Sequence, residues 1–127
     1  MSMKATLNKI ERLKSKKEID ILFSDGKSIS KYPIRLVYTK LDFKENVKIR
    51  TGVSVSKRNF KKAVDRNHIK RLMRESYRKN KYLVANTTHQ FAFMFLYSGK
   101  EIPEYSLIES KIEEILQKFI TLETEAT

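Results

Sequence analysis

The sequence predicts an α+β fold, a two-layer α/β sandwich with helices packed on a small, mostly antiparallel sheet. The expected element order is α-β-β-α-β-α, with one further short strand around Ser28–Lys31. Three stretches carry this expectation. KRNFKKAVDRNHIKRLMRESYR (57–78) places its apolar residues at helical spacing, with Ile69, Leu72, Met73, Ser76 and Tyr77 on one side. HQFAFMFLY (89–97) is apolar on both faces of an extended chain, which requires a central strand covered on both sides. SLIESKIEEILQKFI (106–120) is an amphipathic helix, with Leu107, Ile108, Ile112, Ile115, Leu116 and Phe119 on its apolar face.

Residues 1–14 form a basic arm, expected to be irregular and pinned by Leu7, Ile10 and Leu13. Ser15 and Glu18 make a capping box, Ile19, Leu22 and Phe23 follow at helical spacing, and Gly26 is a natural residue to end a helix over about 16–25. After Pro33, Ile34, Leu36 and Tyr38 alternate with Arg35 and Val37 as in a strand. LDFKEN is a turn. VKIRTGVSVSK then places Val47, Ile49, Thr51, Val53 and Val55 on one face and Lys48, Arg50, Gly52, Ser54 and Ser56 on the other. The two strands read as a meander leading into the basic helix, whose N-cap is Asn59. YLVANTTHQ is a connection, SGKEIPEY is a loop, and residues 121–127 are a frayed tail. The whole chain, 1–127, reads as one domain.

Charge narrows the function. The chain carries a formal +12, and Lys57–Lys81 holds 11 Lys+Arg against Asp65 and Glu75 alone. A charge run is most often a solvated face, but such a helix usually alternates signs. Here Asn67, Lys70, Arg71, Arg74 and Arg78 share one side, opposite the apolar stripe, and Arg66 reaches out near the N-terminal end. Like charges a turn apart repel, so a polyanionic partner is expected to offset the cost. Residues 101–127, with 2 basic against 7 acidic residues, should lie away from that partner.

Other chemistries are poorly served. The chain has no cysteine, which excludes disulfides, thiol catalysis and cysteine metal sites. Its two histidines, His68 and His89, are far apart, and its three glycines form no phosphate loop. No apolar run nears the ~20 residues of a membrane span, and the N-terminal residues lack a signal-peptide core. The cytoplasm is therefore the expected compartment, with no membrane or DNA partner. Cations, an amide and aromatics suit phosphate contact and base stacking.

The segment TGVSVSKRNFKKAVDRNHIKRLMRESYR resembles the signature of the bacterial ribonuclease P protein subunit. The matching positions are Gly52, Val55, Ser56, Lys57, Arg58, Ala63, Val64, Arg66, Asn67, Ile69, Lys70, Arg71, Arg74 and Glu75; His68 stands where the family has Arg. The resemblance extends loosely over the arm with Arg12-Leu13-Lys14, the first helix and the last strand and helix. It implies a left-handed β-α-β crossover around the basic helix, where periodicity alone suggests the common right-handed one. It also implies a partner, the catalytic RNA that removes the 5′ leader of precursor tRNA, with the RNA supplying the chemistry and its Mg²⁺. No residue of this chain is then catalytic or metal-ligating. Lys57, Arg58, Arg66, Asn67, His68, Lys70, Arg71, Arg74 and Arg78 would contact RNA. A cleft between the first helix and the sheet would hold the leader, lined by Arg12, Ile19, Phe23 and either Val37 or Tyr38; Ile19 stands where many members have Phe. A ribosomal or chaperone-type RNA-binding protein, or a self-sufficient protein nuclease, are the alternatives from other classes.

Overall fold

The computed structural model describes residues 9–125, so Leu7 lies outside the described residues, as do residues 126 and 127. After a 3₁₀ turn at Lys9–Glu11 come α1 (Lys16–Asp25), β1 (Lys27–Lys31), β2 (Ile34–Lys40), β3 (Ile49–Val55), α2 (Ala63–Asn80), a 3₁₀ turn at Lys81–Val84, β4 (Phe91–Tyr97) and α3 (Tyr105–Glu125). Strand order across the sheet is β1-β2-β4-β3; only the β3–β4 pair is parallel. The expected mixed α+β architecture is present, including the short extra strand.

β4 is the reason for that order. Six of its seven residues are buried, so the strand must sit inside the sheet with both faces covered. β2 and β3 flank it, which overturns the expected meander: the two never pair. β3 and β4 run parallel with α2 as their connection.

The main core lies between the sheet and the helices α2 and α3. Its centre is aromatic: the Phe119 ring meets Phe91 and Phe93 edge-on at 4.9 Å and Tyr38 at 5.0 Å. Such pairs contribute roughly 0.5–1.5 kcal/mol each beyond their burial. Ile69, Met73, Ser76 and Tyr77 supply the buried side of α2, as its periodicity predicts, with Leu72 half-buried. On α3 the apolar face is as expected except for Leu107, which is exposed in the first turn. α3 also continues through residues 121–125, replacing the expected frayed tail there.

A second, smaller core lies on the other face of the sheet. Leu22 of α1 is fully buried there among Leu13, Val37, Phe43, Val47, Ala92 and Met94. Val47 therefore does not share a face with Ile49; it precedes β3, and strand alternation does not extend to it. Ser15 caps α1, its hydroxyl accepting from the Glu18 N–H at 3.3 Å. Gly26 is extended (φ −72°) rather than left-handed, and its N–H donates to the Leu22 carbonyl at 2.8 Å. A Cβ at Gly26 would stand 2.2 Å from that carbonyl, so close approach, not a turn, requires glycine. Leu13 anchors the arm as expected, whereas Ile10 is 42% exposed.

Candidate nucleic-acid interface

α2 begins at Ala63, not at Asn59. Lys57–Asn59 is a turn, and Lys62 takes the cap position without a side-chain bond. Asn59 instead donates to the Gly99 carbonyl at 3.3 Å, tying the turn before α2 to the loop after β4. Arg66 reaches back past the helix end, as anticipated, but into protein: one guanidinium nitrogen donates to the Phe60 and Lys61 carbonyls at 2.8 and 2.9 Å. It holds the turn that presents Lys57 and Arg58, both exposed.

Along α2, Asn67, His68, Arg71 and Arg74 are exposed and Lys70 is half-buried. Asn67, Lys70, Arg71 and Arg74 form no ion pair among the described residues. Arg78, also expected in this row, is paired with Glu75 one turn back, with a second contact at 3.1 Å. Hydrogen bonding from Arg78 holds the Glu75 carboxyl below its usual range. The free positive charge therefore spans the first three turns of the helix.

The arm joins this row. It pairs with the outer edge of β3, the Leu13 N–H donating to the Thr51 carbonyl at 3.1 Å beside an Arg12–Thr51 bridge. Leu13 turns into the α1-side core. Arg12 accordingly faces the α2 side, and partial burial together with the Arg12 charge lowers the pKa of Arg74. Arg12 thus belongs with the basic row rather than with the groove under α1.

The cleft expected between α1 and the sheet would fall on the other sheet face. Val37, Met94 and Gly52 form one row across β2, β4 and β3; Arg35, Leu96 and Ser54 form the next. α1 packs over the first row, and Val37 is only 4% exposed beneath it. Gly52 leaves room there: a Cβ would come within 3.0 Å of the Met94 methyl. Tyr38 points the opposite way, into the aromatic core against Phe119, so of the pair Val37/Tyr38 only Val37 faces α1. Phe23 is 51% exposed on α1 and belongs to neither core, whereas Ile19 is half-buried against the smaller one. The second row is open, and its exposed cation, Arg35, was missed from sequence; the signal was its place on the α1-facing side of β2. Arg50 is structural instead: it bonds Glu18 of α1 at 3.4 Å and the Ile10 carbonyl at 2.9 Å, and lies 4.6 Å from the Phe43 ring centroid.

The Ribonuclease P family model matches residues 7–120. The chain belongs to the ribonuclease P protein family. Among similar proteins, the ribonuclease P protein component of Porphyromonas gingivalis W83 is 36% identical over 115 residues, covering 87% of this chain and 83% of that protein. That of Caldanaerobacter subterraneus is 32% identical, covering 87% and 90%. In three dimensions the Thermotoga maritima RNase P protein aligns with a TM-score of 0.70 at 24% identity over 85% of this chain and 96% of the other. The Staphylococcus aureus RNase P protein gives 0.68 at 23%, over 85% and 94%. These two share the fold.

In this family member the sequence signature therefore divides into two jobs. Arg66, Asn59 and the buried stripe build the platform; Lys57, Arg58, Asn67, His68, Lys70, Arg71 and Arg74 are displayed on it. A ribonuclease P protein component is a tRNA-processing subunit of an endoribonuclease ribonucleoprotein, so its partner is an RNA.

Proposed function

We propose that this protein binds the catalytic RNA through the basic row of α2 and the single-stranded 5′ leader of precursor tRNA through the groove under α1, acting in the cytoplasm. The observation that carries this reading is the run of exposed Asn67, Arg71 and Arg74 beside half-buried Lys70, joined by Arg12 and unpaired with any acid among the described residues. A row of free cations with an amide donor suits phosphate oxygens, and Phe23 at the groove suits an unstacked base. The phosphodiester chemistry stays with the RNA and its Mg²⁺.

Cleavage of precursor tRNA, measured with protein alone, catalytic RNA alone and both together, tests the proposal. Stimulation by the pair with no cleavage by the protein alone supports it. Cleavage by the protein alone means a self-sufficient nuclease, and no stimulation of the RNA means a binding protein of another kind.

A further inference from the structure

The end of the sheet beyond the α2 N-terminus carries its own cluster. Ile34, Tyr97 and Val55 stand in one row across β2, β4 and β3. Three connections leave this row together: the β1–β2 turn at Tyr32-Pro33, the loop after Tyr97, and the Ser56–Lys62 turn that leads into α2. They are stitched to one another. The Ser98 N–H donates to the Pro33 carbonyl at 2.8 Å and the Asn59 amide to the Gly99 carbonyl at 3.3 Å; within the loop after β4 the Tyr97 hydroxyl donates to the Glu101 carbonyl at 2.6 Å. Arg66 pins the third connection from the helix side. The Tyr32 turn joins β1 and β2, so it lies two to three strand spacings of about 4.8 Å from β3, roughly 10–14 Å.

Tyr32 stands out on this surface at 72% exposed. It lies near enough to Tyr97 for its charge to be felt there: the Tyr97 phenol pKa is raised first by burial and then by Tyr32 and Glu101. The same three connections carry Lys31, Lys57, Arg58, Lys61, Lys62 and Lys100, with Glu101 beside Lys100; none of the six cations is in an ion pair among the described residues. Tyr82, also exposed, borders a cavity of about 660 Å³ lined by Lys48, Arg78, Lys79 and Lys81, of which Arg78 and Lys81 are held by Glu75 and Glu11 and Lys79 lies over the Tyr105 ring. At Tyr32 an exposed aromatic ring shares its end of the sheet with six cations that form no ion pair among the described residues, and that charge runs on into the α2 row.

We propose that Tyr32 is a stacking site for an unpaired base of the catalytic RNA, with Lys57, Arg58 and Lys100 taking the flanking phosphates. This site extends the RNA-binding surface past the α2 N-terminus, away from the groove under α1. A ring with a polar tip in a positive field suits a nucleobase and its backbone. An acidic protein would satisfy the charge but would leave the ring without a π-face partner. The inference rests on the RNA-binding reading above.

The chain has no tryptophan, so Tyr32→Trp introduces a single indole reporter. Its emission should be quenched on adding the catalytic RNA. Tyr32→Ala should weaken RNA binding by about 5- to 150-fold with an unchanged salt slope, because no cation is removed. Tyr32→Phe should bind as the parent does. An unquenched indole, parent-like binding by Tyr32→Ala, or equal loss in Tyr32→Phe would overturn the stacking site. The Lys70→Ala/Arg71→Ala variant separates the two readings. If it weakens RNA binding while Tyr32→Ala does not, the stacking site falls and the α2 interface stands; if neither variant affects binding, both fall.

Discussion

Replacing Phe23 by alanine separates a ring that holds the fold from a ring that holds RNA. A fully buried phenylalanine truncated to alanine costs about 3–5 kcal/mol. Phe23 is 51% exposed and contributes to neither buried cluster, so about half of that, ~1.5–2.5 kcal/mol, bounds its loss. For a chain between the small and mid-sized ranges, each kcal/mol moves Tm by roughly 3–6 °C, which gives a drop of about 5–15 °C. A stacked base contributes ~1–3 kcal/mol, so affinity of the holoenzyme for precursor tRNA should fall about 5- to 150-fold. Mature tRNA has no leader, and its affinity should hold. Neighbouring Leu22 is the control. It is fully buried, and Leu22→Ala should cost ~2–5 kcal/mol of stability without discriminating between the two tRNAs. The assay is equilibrium binding of both tRNAs to reconstituted holoenzyme below the Tm of each variant. Equal losses for both tRNAs in Phe23→Ala would refute the reasoning and make Phe23 a packing residue only.

The basic row predicts a salt signature. Lys70→Ala/Arg71→Ala should flatten the log–log salt dependence of RNA binding by about 0.7 for each phosphate no longer neutralised, and an unchanged slope in titration would reject phosphate binding at these positions. At exposed His68, which stands where the family has Arg, His68→Arg should tighten RNA binding and steepen the same salt slope by about 0.7 if the guanidinium meets a phosphate; an unchanged slope would exclude a charge effect there. Glu75→Gln releases Arg78 and should steepen the same salt slope by about 0.7 if the freed guanidinium finds a phosphate. Because the Glu75 carboxyl is held below its usual range, the pair stabilises above the ordinary Glu range and loses that contribution as pH falls through the folded value. Parent and Glu75→Gln melting temperatures should therefore converge in acid and separate toward neutrality, as thermal melts across pH would show.

Local periodicity determined more of this protein than any pairing did. The α1 span expected at about 16–25 is Lys16–Asp25, because a cap, a three-residue stripe and a close-packed glycine all act within a short stretch of chain. The two-sided apolarity of 89–97 placed β4 at the centre of the sheet, and the charge count along 57–81 marked the helix that displays its cations. Tertiary structure alone decided who meets whom. β2 and β3 looked like neighbours because they are consecutive, but only β4 could fill the centre, and it parted them. Asn59 had the chemistry of a helix cap and found the Gly99 carbonyl instead. Val37 and Tyr38 are adjacent in the chain and end in different cores, because successive side chains on a strand face opposite ways. Arg12 faces α2 for the same reason, once Leu13 has turned inward at the β3 edge. Spacing along a chain fixes which side chains share a face; which face meets a core, a helix or open solvent depends on contacts between residues far apart in sequence.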